Sequence, residues 1–182
     1  MKFSEMIYER PDMEAVKERM TELTARLKES SDYETAKAVF LEEDTFVKHV
    51  ETMSTLAYIR HSIDTTDEFY DEEIKFLNEA EPVLTEYVQM WNEALMETPF
   101  RKEFEEEYGT LIFLNMEIEK KTFDPSLISM LQEENELTSA YQKLIASAQI
   151  PFEGEMYTLS QLTPFKSDAD DERRLAAWKA DG

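Results

Sequence analysis

The stretch TTDEFYDEEIKFLNEAEPVLTEYVQMWNEALM, Thr65–Met96, decides how the rest of the chain folds. Within it Tyr70, Ile74, Leu77, Leu84, Val88, Trp91 and Leu95 follow one another at spacings of 4, 3, 7, 4, 3 and 4. With about 3.6 residues per turn these positions stack on one face, so the stretch predicts one long amphipathic helix. At a rise of about 1.5 Å per residue it would span roughly 45 Å. The remaining surface is acidic: residues 67–109 carry 14 carboxylates against Lys75, Arg101 and Lys102, a net of −11 out of the chain's −22. A seam of this length on a helix of this charge needs partner helices to cover it.

The upstream sequence supplies two. Pro11 suits a first helical position, where its missing N–H is not needed, and Met13, Val16, Met20, Leu23 and Leu27 follow at helical spacing. Ser31 and Glu34 are placed as a capping box for a second helix, from about Asp32 to Ser62. Its inner stripe is Val39, Phe46, Val50, Met53 and Ala57, widened by Phe40, Val47 and Leu56. The short link Asp64-Thr65-Thr66-Asp67, with Thr65 and Glu68 as a second capping box, sets helices two and three antiparallel and adjacent. Pro82 has no N–H to give the Asn78 carbonyl. Because Leu77 and Leu84 lie one heptad apart, the seam keeps its side, and one kinked helix is expected.

Downstream, Thr98-Pro99 stops the long helix and starts a short one that Gly109 ends. Ile112, Leu114, Met116 and Ile118 mark a further helix, and Asp124-Pro125 caps another carrying Leu127, Ile128, Leu131, Leu137, Tyr141, Leu144 and Ile145. Around the Glu153-Gly154 turn, Ile150, Phe152 and Met156 alternate as in a small β-hairpin, which needs helices to pack on. Thr158 and Gln161 cap a short helix, and Leu175 and Trp178 open an amphipathic pattern that is not completed before Gly182. The expected fold is all-α: an elongated antiparallel bundle of long helices with a small hairpin near the C-terminus. The expected division is a helical lobe over 1–149, then 150–182 as the hairpin and the start of a truncated helical segment.

Composition narrows the function classes. At 42% hydrophobic and 12% aromatic residues the chain can bury a core despite its charge. Three glycines leave no room for a phosphate-binding loop, and the lack of cysteine removes disulfides, thiolate metal sites and thiol nucleophiles. A cysteine-free chain suits a reducing cytosol. The longest purely apolar run, Leu111-Ile112-Phe113-Leu114, is far short of the ~20 residues of a membrane span. A cytoplasmic location is expected. A pI near 4.4 repels phosphate backbones and anionic lipid surfaces, so neither nucleic acid nor membrane is an expected partner.

The side chains that could carry chemistry form no motif. His49 and His61 stand twelve apart without the HExxH pattern, and the residues three before them, Phe46 and Tyr58, exclude a di-metal Glu-x-x-His pair. His61, near a helix end, reads as a cap or a satisfied core imidazole. Glu42-Glu43-Asp44, Asp71-Glu72-Glu73, Glu105-Glu106-Glu107 and Asp170-Asp171-Glu172 read as wet surface, not as catalytic pairs. Met53, Met90, Met96, Met116 and Met130 read as adaptable core filling, and Trp91 as a core anchor. No catalytic, metal-binding or cofactor-binding residue is assigned.

Ile150-Pro-Phe-Glu-Gly-Glu-Met-Tyr-Thr-Leu-Ser-Gln-Leu-Thr-Pro-Phe165, then Asp171-Glu-Arg-Arg-Leu-Ala-Ala-Trp-Lys-Ala180, resembles the N-terminal region of oligoendopeptidase F-type zinc metallopeptidases. Arg60-His-Ser-Ile-Asp-Thr-Thr-Asp-Glu-Phe-Tyr70 resembles it too, and the likeness covers nearly the whole chain. It implies a mostly helical protein that cleaves short peptides in a channel between two lobes, with zinc held by HExxH and a further glutamate in the C-terminal part. This sequence contains no position matching those ligands. The resemblance therefore implies the non-catalytic lobe, with the missing catalytic domain as its partner and zinc and oligopeptides belonging to the full-length enzyme. The alternative is a free-standing acidic helical interaction module. An enzyme in its own right is disfavoured by the missing ligands.

Overall fold

The seam of Thr65–Met96 is covered from two sides. The structure, a computed structural model, describes residues 3–122 and 124–181, and 78% of the chain is helical. After a 3₁₀ turn at Phe3–Glu5 come α1 (Met13–Lys28), α2 (Tyr33–Ile63), α3 (Glu68–Met96), α4 (Arg101–Tyr108) and α5 (Leu111–Thr122). Then follow α6 (Ile128–Ala146), β1 (Ile150–Phe152), β2 (Glu155–Tyr157), α7 (Leu159–Leu162) and α8 (Asp171–Asp181). The chain divides into two compact units, 1–133 and 134–182. The expected all-α architecture with one small antiparallel hairpin is what the described residues form.

In the first unit both α1 and α2 pack on α3, so the seam has two partners where the sequence pattern paired it with α2. Val16, Met20, Leu23 and Leu27 of α1 meet Trp91, Ala94 and Leu95 of α3, with Ala36 and Val39 of α2 in the same core. Phe104 of α4 and Phe113 and Met116 of α5 close its end. Phe104 is 1% exposed and takes the rings of Tyr33 and Phe40 edge-on, at 5.1 and 5.3 Å between centroids. A second cluster, Ala57 with Ile74 and Leu77, lies at the other end of the α2–α3 pair. That places the start of α3 against the end of α2, the antiparallel pairing the short link requires.

The segment before α1 is tied down by charge. The guanidinium of Arg10 clasps the buried Glu73 carboxylate through Nε and Nη2, and the Tyr8 hydroxyl donates to the same group at 2.5 Å. Arg60 of α2 donates to the Tyr70 hydroxyl at 2.6 Å and to the Met6 carbonyl at 2.5 Å. Glu73 is thus a buried charge with its hydrogen bonds met, which offsets the cost of taking it out of water.

Aspartate, not the expected serine, threonine or proline, opens the long helices. Asp12 accepts from the amides of Glu14 and Ala15, Asp32 from Thr35, and Asp67 from Phe69 and Tyr70. Pro11 stays outside α1, and neither the Ser31–Glu34 nor the Thr65–Glu68 box forms. Each time an aspartate stands one or two positions further on, and an ionised cap also gains from the helix dipole. Where no aspartate competes, the Thr158–Gln161 box forms on both sides. α3 runs unbroken through the buried Pro82, and the side chain of Gln132 donates to the neighbouring Glu79 carbonyl at 2.7 Å.

The second unit has its own small core: Ile150, Phe152, Leu162 and Ala177, with Tyr157 and Phe165 packed on it. Ile150 pairs with Tyr157 and Phe152 with Glu155, across a turn whose central residues Glu153 and Gly154 both have positive φ, 50° and 87°. Such a turn matches the twist of the strands, but it strains a residue with a Cβ. Arg173 holds Glu153 there by a bidentate pair at 2.8 and 2.7 Å while its guanidinium lies 4.7 Å from the Phe165 ring centre.

The packing at the end of the first unit sets a measurable cost. Phe104→Ala removes a fully buried ring, and a loss of about 3–5 kcal/mol is expected in urea denaturation followed by circular dichroism.

Candidate functional site

The two histidines stay apart. His49 is exposed on α2, beside a hollow of about 240 Å³. His61 is 2% exposed near the end of the same helix, about 18 Å further along its rise. Its Nε2 lies 3.6 Å from Asp71 Oδ1, an ion-pair distance but longer than a hydrogen bond. It is a core imidazole, not a cap. Among the described residues no group of three or more histidine, aspartate or glutamate side chains could hold a metal ion.

The acidic runs are not uniformly wet surface, which corrects the sequence reading. Glu42 bridges Arg19 and Arg26 of α1, the latter at 2.7 Å. The next residue, Glu43, is only 8% exposed, and among the described residues it has no ion pair. Burial, with Asp44 and Glu51 nearby, pushes its carboxyl up to about 7. In the second run Asp71 pairs with Lys75 at 2.9 Å, while Glu73 is the buried partner of Arg10. The Arg10 and Tyr8 hydrogen bonds hold the Glu73 carboxyl below the usual carboxylate range. Three consecutive helical residues sweep about 200° of the helix, so such a run turns one member inward. The signal was present: Glu43 follows Val39 by four, and Glu73 precedes Leu77 by four.

A cleft of about 530 Å³ opens between α1, α2 and α3. Val16 and Met20 form its floor from α1, Phe46, Val47 and Val50 one wall, and Leu84 and Val88 the other. Glu51 and Glu81 are its ionisable lining residues. Glu81 stays open to solvent, yet desolvation by the surrounding wall raises its carboxyl.

Several apolar faces are left bare. On α5 Phe113 and Met116 are buried, whereas Leu111, Leu114 and Ile118 are exposed by half or more, so the pattern of Ile112, Leu114, Met116 and Ile118 takes in part of the outer face. α6 has no buried residue at all, and its stripe of Leu137, Tyr141 and Leu144 is about two-thirds exposed. Met130 and Met90 are also exposed, unlike the buried Met53 and Met116. On α8 Leu175 and Trp178 are more than half exposed, although the indole N–H donates to the Lys166 carbonyl at 3.0 Å. No described helix is long and apolar enough to cross a membrane.

These features define a class: a helical unit and a hairpin-bearing second unit, whose described residues present bare apolar faces and a cleft. The family model described as the Peptidase M3 N-terminal domain matches residues 3–123. The chain belongs to this family. PZ peptidase A, solved with an inhibitor, is 40% identical with a TM-score of 0.93, over 99% of this chain and 32% of that one. A structure assigned as oligoendopeptidase F from Bacillus anthracis str. Ames is 40% identical with a TM-score of 0.94, over 100% of this chain and 33% of that one. A second structure assigned as oligoendopeptidase F matches equally, covering 32% of its chain. The chain thus spans about a third of the length of these solved relatives. None of the curated proteins compared with it matches. The stretch 150–180 lies beyond the family match but within the structural one.

The Glu43 carboxyl has a pH signature. Its folded-state value lies above that of the unfolded chain, so the native state binds the extra proton between about 4.5 and 7 and loses stability as pH rises through that window. Glu43→Gln should therefore stabilise the chain at pH 8 by on the order of 2 kcal/mol and give little at pH 4.5, in paired urea titrations.

Proposed function

We propose that this chain is the non-catalytic N-terminal helical lobe of an oligoendopeptidase F-like zinc metallopeptidase. In the full-length enzyme it would restrict access to the channel in which short peptides are hydrolysed. Zinc and its ligands would come from the catalytic part, and the substrates would be oligopeptides. The observation that carries this reading is α6: an amphipathic helix of 19 residues with none buried, in a chain spanning a third of its solved relatives. Its bare stripe, and separately those of α5 and α8, call for a covering surface. In a full-length family member the remaining two-thirds of the chain would supply one. A cytoplasmic setting goes with this reading and suits a sequence without cysteine.

The same bare stripe also favours a second reading, a free-standing acidic helical module that binds another protein through it. The two part on a direct test. The purified chain with added zinc should show no turnover of a quenched fluorescent peptide, and turnover would overturn both readings. Mixed with the separately expressed remainder of the Bacillus anthracis relative, it should co-elute on size exclusion, and Leu144→Asp should abolish co-elution. A folded chain that ignores the remainder would favour the module.

A further inference from the structure

The cleft between α1, α2 and α3 has the size of a ligand site and one sign of charge. Its volume of about 530 Å³ lies within the roughly 300–1,000 Å³ of small-molecule sites. The apolar walls are half-buried Phe46, Val47, Leu84 and Val88, side chains that pack on the core from one side and leave the other open. A cavity so lined favours an apolar body, since burying its CH₂ groups there takes them out of water. The phenyl ring of Phe46 adds a face that a cation also prefers.

The charge is as selective as the walls. No lysine or arginine lines the cleft, and Glu51 and Glu81 carry no ion pair among the described residues. Lys17, Arg19 and Lys48 on these helices are engaged by carboxylates outside the cleft: Lys17 by Glu14 at 2.7 Å, Arg19 by Glu22 at 2.6 Å, Lys48 by Asp44 at 2.7 Å. Desolvation at Glu81 marks a carboxylate that would gain from a counter-charge. The net charge of −22 adds a long-range attraction for cations and repels anions. Pro82 stands between Glu81 and Leu84 in the α3 wall, where its ring crowds the preceding turn.

We propose that this cleft binds a small organic cation with a branched or aromatic apolar body, the ammonium end lying toward the Glu51 and Glu81 carboxylates. The site belongs to this chain's own first unit and stands whether or not the peptidase reading holds. It takes neither anions nor inorganic cations, which lack one of the two features.

Three probes of one shape separate charge from shape: 4-tert-butylbenzylamine, protonated at pH 7; 4-tert-butylbenzyl alcohol; and 4-tert-butylbenzoate. Titration of the 182-residue chain, followed by ¹H–¹⁵N NMR shifts, should rank the amine at least tenfold tighter than the alcohol, with no binding of the benzoate. The combined variant Glu51→Gln, Glu81→Gln should bring the amine down to the alcohol's affinity. Raising salt should weaken the amine alone. Val47→Trp should fill the cleft and abolish both; if it does not fold, Thr85→Phe replaces it. Equal affinity for amine and alcohol in the native chain, or amine binding that survives either the double glutamine variant or cleft filling, would overturn the proposal.

Discussion

The structure depends on covering one apolar seam along α3. Around that seam the helix is densely negative, so it cannot associate with just any surface; it needs helices that offer apolar stripes flanked by arginine and lysine. α1 and α2 do this. Trp91 and Leu95 are buried beneath Met20, Leu23 and Leu27, and the arginines of α1 hold Glu42 of α2 at the margin. Hydrophobic burial supplies the driving force, and the ion pairs at the edges, individually weak, fix which faces meet. The clasp of Arg10 and Tyr8 on Glu73 extends the same logic to the segment before α1.

Much of this was legible in the sequence, because helical periodicity is a local property. The spacing from Tyr70 to Leu95 gave α3 its extent and its inner face, and the short link gave the antiparallel pairing. The hairpin at Glu153-Gly154 was visible for a similar reason, since alternation and turn chemistry are written in adjacent residues. Caps were harder. Several candidate acceptors crowd each helix start, and aspartate won at residues 12, 32 and 67 by combining a short side chain with a full negative charge.

What periodicity cannot show is whether a stripe has a partner. Leu137, Tyr141 and Leu144 read like core residues and are bare. Conversely, Glu43 reads like surface and is buried. Both depend on which elements arrive from elsewhere, a tertiary fact. The cleft was unreadable for the same reason, since its floor, walls and carboxylates come from three helices and over seventy positions of sequence. The resemblance, by contrast, rested on residues 60–70 and 150–180, and it led to the right family although no catalytic residue was on view.

The bare stripe of α6 has a colloidal consequence. These 182 residues by themselves, with so much uncovered oil on one helix, would stay dispersed mainly because like-charged copies push each other away. At low ionic strength that push reaches tens of ångströms; at about 1 M salt it shrinks to roughly 3 Å. Under such shielding the sticky helix, no longer guarded, governs how the molecules meet.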